Sequence, residues 1–147
     1  MSSSPSITIR QVQGYQFLID FGETISDLLV DEAEPIGRGE GPFPEQILVA
    51  GVTNCLCASL VFALAKYKQD AKGLTARSSC QVERNAEGRL RITGIDVVIS
   101  FGAEAGEVQR IDKVLDQFER FCTVSESVKA GIPVTVAVHD ADGRRLK

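Results

Sequence analysis

A chain of 147 residues with 44% hydrophobic side chains has enough apolar mass for one domain with a real core and is short for two. Its 16 Lys and Arg against 20 Asp and Glu give a formal charge of −4 with the signs interspersed. That excludes the clustered cations a nucleic-acid partner requires. The opening Met1-Ser2-Ser3-Ser4-Pro5-Ser6 has neither the basic nor the apolar region of a secretory leader, which predicts a cytoplasmic protein. In that reducing compartment the four cysteines are expected to be reactive, metal-bound or simply buried, and not structural disulfides.

Taken in order, residues 1–6 are expected to be flexible. Ser6–Val12 and Tyr15–Asp20 then read as two short strands about Gly14, with a third near Ile25–Val30. Asp31–Pro44 is a loop by composition, rich in Glu, Gly and Pro, and Pro44 suits a helix start, so Glu45 falls in the first helical turn. From Glu45 to about Gln69 the pattern is helical and apolar on nearly every face, as for a helix surrounded by protein. Thr53, Asn54 and Ser59 interrupt the run Ile47–Ala65, which favours a core helix over a membrane span. Gly73 punctuates its end. Thr75–Arg84 and Arg89–Phe101 form a predicted long hairpin around Asn85-Ala86-Glu87-Gly88. Ala105–Arg120 carries Val108, Ile111, Val114, Leu115 and Phe118 at amphipathic helical spacing. Thr123–Lys129 is a second short helix, capped by Thr123 or Ser125, before a closing strand at Ile132–Val138. The sum is one α+β domain over 1–147.

Cys55 lies inside the apolar helix and Cys122 opens the polar segment that follows Phe121. Neither has the spacing of a structural zinc site or a Cys-x-x-Cys motif. If the fold joins them, the two thiols can cycle against a peroxide. A thiolate attacks the peroxide oxygen, becomes a sulfenic acid, and condenses with the second thiol before it overoxidises. Cys55 stands ten residues after Glu45, too deep in its helix for the helix N-terminus to activate it, so an arginine must come from elsewhere. Arg38, between Gly37 and Gly39, is the first candidate, with Glu45 placed to orient it, and Arg10 is the second. Each residue also has a plainer reading: a small buried hydrophobe for either cysteine, a dipole partner for Glu45, a solvated loop cation for Arg38. Cys57 points to another side of the helix, and it and Cys80 read as structural. His139, the single histidine, is expected at the surface, and neither a metal nor a bound cofactor is expected.

Pro44-Glu45-Gln46 with Val49-Ala50-Gly51 and Cys55 resembles the helix signature of the OsmC/Ohr family, the osmotically inducible and organic hydroperoxide resistance proteins. Phe121-Cys122-Thr123-Val124-Ser125, with Gly131-Ile132-Pro133-Val134 beyond it, resembles that family's Cys-Pro-Val-Ser segment and terminal strand. The resemblance implies antiparallel sheets around a long central helix in an intertwined homodimer. It also implies a thiol-dependent peroxidase for organic hydroperoxides, its disulfide reduced by a dihydrolipoyl dithiol such as a lipoylated protein. By position Cys55 is then peroxidatic, Cys122 resolving, Glu45 the holder of the catalytic arginine, and Arg38 that arginine. Leu56 departs from the phenylalanine common after the first cysteine, Thr123 replaces a proline, and Arg38 is nearer Glu45 than is usual in the family. The same pocket and cysteines would also serve a non-enzymatic module that binds an apolar ligand or senses redox state. Neither reading calls for a membrane or nucleic acid as partner.

Overall fold

The computed structural model describes residues 4–131. The expected closing strand, His139 and the first three residues lie outside them.

Strands β1 (Thr8–Gln13), β2 (Gln16–Asp20) and β3 (Leu28–Val30) form an antiparallel sheet in the order β1-β2-β3, with Phe17 opposite Val30. The predicted three-strand opening is therefore present. The loop after β3 is organised by Asp31, which is 2% exposed. Its carboxylate accepts the N–H groups of Glu32 (2.8 Å), Arg38 (3.2 Å) and Glu40 (3.1 Å) and the side-chain amide of Gln16 (3.2 Å). Gly37 packs so closely on the Glu32 carbonyl and the Asp31 carboxylate that a Cβ there would overlap both.

Helix α1 spans Pro44–Lys66. Pro44 supplies the fixed φ favoured at a helix start, and Gln46 Oε1 accepts the Phe43 N–H at 3.2 Å, one half of a capping box. Leu60, Ala63 and Leu64 of this helix form the core with Ala71, Val108 and Val114. The hairpin β4 (Leu74–Arg84) and β5 (Leu90–Phe101) lies against α1, tied to it by a 2.7 Å contact between the Thr53 and Ser78 hydroxyls. Gly88, at φ +75°, closes the Asn85–Gly88 turn as expected. A bulge at Thr93, between the Gln81–Gly94 and Val82–Ile92 pairs, bends β5.

Three expectations are corrected. Among the described residues helix α1 is covered on one side only, by the hairpin and the later helices, and Val61 and Phe62 are each 56% exposed. The second concerns Ala105–Arg120, which is not one helix. It divides into a 3-10 turn (Ala105–Glu107), helix α2 (Ile111–Gln117) and a second 3-10 turn (Phe118–Phe121), with Arg110 at the break in a left-handed conformation. In an unbroken helix Val108 and Val114 would point about 120° apart. The break lets both reach the core, where they are 3% and 0% exposed. Helix α3 (Thr123–Ala130) follows, and its cap is neither Thr123 nor Ser125 but Cys122, whose backbone the preceding 3-10 turn delivers in an extended conformation.

Candidate functional site

Cys55 sits mid-way along α1, half-buried, with the buried Ser59 one turn later on the same side. Cys122 closes the site from the start of α3 and is fully buried. Its sulfur accepts the N–H of Ser125 at 3.3 Å, the N-cap bond of α3. Burial pushes the Cys122 thiol up. The Ser125 hydroxyl, the Cys55 thiol, the Ser125 N–H and the Ser59 hydroxyl, in that order, outweigh the burial and leave the thiol below its ordinary value. Ser125 Oγ is itself buried and makes no well-formed hydrogen bond among the described residues, so it acts on the sulfur by proximity. The fold thus brings Cys55 and Cys122 together, 67 positions apart in sequence.

Beside the pair opens a cavity of about 530 Å³, mostly apolar, with Val52 and Leu56 of α1, Ile95 and Val97 of β5, Phe118 and Ser125 among its walls. The wall reaches the pair through neighbours: Val52 and Leu56 belong to the helix that carries Cys55, and Ser125 donates its N–H to the Cys122 sulfur. Its size suits a small apolar molecule. Lys129 also lines it and is held by Glu119 (3.1 Å) and Glu126 (3.0 Å).

The expected arginine arrangement is not the one found. Arg38 pairs with Glu40 at 3.3 Å, and among the described residues Glu45 is not its ion-pair partner. The cause is Asp31: by accepting the N–H groups of both Arg38 and Glu40 it sets those two residues side by side. Glu45 instead faces the hairpin, where it lines shallow depressions beside Val82 and Leu90 and beside Ser78 and Cys80. Arg10 is exposed on β1, opposite Leu18. Cys57 is half-buried, and that burial raises its thiol. Cys80 is half-buried on β4, opposite Ile95. Ser59 and Ser125 escaped the reading of the sequence as site residues. Their spacing from the two cysteines, four and three positions, was the available signal.

The sequence matches the profile of the OsmC family, described as OsmC-like protein, over residues 37–137. The chain belongs to the OsmC-like family. No curated protein matches its sequence. Among solved structures this OsmC-like protein is similar to an OsmC-like protein of unknown function from Vibrio cholerae (TM-score 0.69, 18% identity, covering 87% of this chain and 95% of that one). It is also similar to the organic hydroperoxide resistance protein OsmC of Legionella pneumophila (TM-score 0.68, 12% identity, 91% and 96% covered). A third is the organic hydroperoxide resistance protein OhrB of Bacillus subtilis (TM-score 0.64, 17% identity, 90% and 96% covered). At these identities the likeness is one of fold: antiparallel sheets with a long helix.

Proposed function

We propose that this OsmC-like protein is a cysteine-based peroxidase for organic hydroperoxides, acting in the cytoplasm as a homodimer. The observation that carries the reading is the meeting of Cys55 and Cys122 beside an apolar cavity of about 530 Å³. Two structural relatives are organic hydroperoxide resistance proteins, which supports the choice of substrate class. Cys55, the less buried thiol, attacks the terminal peroxide oxygen, releasing an alcohol and becoming a sulfenic acid. Cys122 then attacks the Cys55 sulfur, forming the disulfide and expelling hydroxide, which leaves as water. A dihydrolipoyl dithiol, free or carried on a protein, restores the two thiols.

Glu45 and Arg38 enter the same proposal as the pair that activates Cys55 in the assembled dimer, which requires Arg38 to leave Glu40. An exchange of partners is inexpensive here, since the Arg38–Glu40 pair is solvent-exposed and such pairs contribute about 0–1 kcal/mol. The dimer is supported by the apolar surface left open: Val61, Phe62 and Phe121 near the helices, and a groove of about 550 Å³ between β2 and the start of α1.

The test is consumption of cumene hydroperoxide against hydrogen peroxide with dihydrolipoamide as reductant. Preference for the organic peroxide, abolished by Cys55→Ser, is the expected outcome. Full turnover by Cys55→Ser would refute the assignment. A second reading, a redox sensor or apolar-ligand module without turnover, is favoured by the Arg38–Glu40 pair, which engages the Arg38 guanidinium with a carboxylate other than Glu45. Stoichiometric oxidation without turnover would select it.

A further inference from the structure

A disulfide between two cysteines can be opened at either sulfur, and the direction decides which cysteine carries the intermediate. The outgoing sulfur is the one whose thiolate is better stabilised, and the attacked sulfur must be reachable. The two sulfurs here differ on both counts. Cys122 is 0% exposed, while Cys55 is half-buried, on the helix that gives Val52 and Leu56 to the cavity wall. Around Cys122 converge an N–H at a helix start and the hydroxyls of Ser59 and Ser125. Ser125 Oγ is the one buried side-chain polar atom among the described residues without a well-formed partner, and its residue is 4% exposed. A buried hydroxyl left so placed is costly unless a charge forms beside it. Among the described residues the charged neighbours do not supply that role. Glu119, Glu126 and Lys129 bond one another at the surface, and Arg120 is exposed.

We propose that Ser59 and Ser125 are positioning residues that hold the Cys122 sulfur as the leaving thiolate, so that an incoming dithiol attacks Cys55 and the mixed disulfide forms there. The inference rests on the Cys55–Cys122 disulfide of the proposed function and adds the direction of its reduction. One thiolate of the dithiol bonds to the Cys55 sulfur. The Cys55–Cys122 bond breaks, and its electron pair stays on Cys122, held by the Ser125 N–H and the two hydroxyls. The second thiol of the reductant, having lost its proton to solvent, then attacks the reductant's own sulfur in the mixed disulfide. That step closes a cyclic disulfide and frees Cys55 as a thiolate. The dithiol is oxidised by two electrons and the protein disulfide is reduced by two.

The experiment forms the disulfide with diamide, so it reads thiol exchange whether or not the protein turns over a peroxide. The oxidised full-length chain is treated briefly with glutathione, quenched with acid, and mapped by peptide mass spectrometry. Glutathione on Cys55 in excess over Cys122 by roughly tenfold is expected. In Ser59→Ala/Ser125→Ala the excess should fall several-fold, and the pH at which the Cys122 thiolate absorbance appears, read in a Cys55→Ser background, should rise. Ser125→Thr, which keeps a hydroxyl, should restore both. Equal labelling, labelling on Cys122, or an unchanged ratio and pH profile in the double alanine variant would overturn the proposal, as would failure of diamide to link the two cysteines. Absence of peroxide turnover with the Cys55 preference intact would overturn the peroxidase reading alone.

Discussion

At the scale of single residues, Asp31 and Cys122 show how a buried polar atom organises its surroundings. Asp31 is desolvated, which by itself raises its carboxyl. The N–H groups of Glu32 and Glu40, the Gln16 amide and the Arg38 N–H reverse that and hold it below the usual aspartate value. A carboxylate with a lowered folded-state pKa stabilises the fold fully above its unfolded value of about 3.9 and loses that contribution as pH falls through the folded value. Asp31→Asn should therefore lower the melting temperature at pH 7 and flatten the acid limb of the stability curve below about pH 4, both readable by circular dichroism. For Cys122 the same sign applies at the alkaline end: its contribution is complete above the ordinary thiol value of about 8.5 and shrinks as pH falls through the lowered one. Because a serine hydroxyl can replace the sulfur at the N-cap and alanine cannot, Cys122→Ala should be about 1 kcal/mol less stable than Cys122→Ser in urea unfolding.

Among the elements, α1 divides into a face that the chain buries and a face that it leaves open. Leu60, 2% exposed and packed with Ala63, Leu64, Val108 and Val114, belongs to the first. Leu60→Ala should cost about 2–5 kcal/mol, measured by urea denaturation. The sequence made this helix legible because its apolar run is long and Pro44 marks its start, and it made the hairpin legible because Asn85–Gly88 is unambiguous turn chemistry. Ala105–Arg120 was misread because its apolar spacing satisfies a helix template although the core is reached through a left-handed turn at Arg110. Periodicity reports which residues are apolar, not whether one rigid rod can aim them all at the same place. The carboxylate partner of Arg38 was not legible for a related reason: which one it meets depends on the loop conformation imposed by Asp31, and loop geometry has no periodic signature. The two cysteines were legible as a pair through their motifs, whereas the serines around them required the packing of α3 on α1.

For the whole molecule, the open face of α1 and the groove beneath the N-terminal sheet are apolar surface of the kind that marks interaction sites. Phe62 and Phe121 meet edge to face at 5.2 Å in that open region, with the Lys66 ammonium 4.9 Å from the Phe121 ring. If a second copy covers them, Phe62→Glu should leave the secondary structure intact while shifting the mass seen by light scattering from dimer to monomer; an unchanged dimer would place the interface elsewhere. The meeting of Cys55 with Cys122 carries a further consequence for the molecule as a mechanical object. A bond between them would staple the middle of the long helix to the last helix described, closing a loop of 67 residues. In the chain-entropy account such a closure is worth about 4 kcal/mol against unfolding. Each catalytic turn would then alternate a tightly laced chain with a looser one, and the laced state would be the more resistant to heat and to proteases. The waiting, oxidised form would be the durable one, and the protein would be most vulnerable just after it had been recharged.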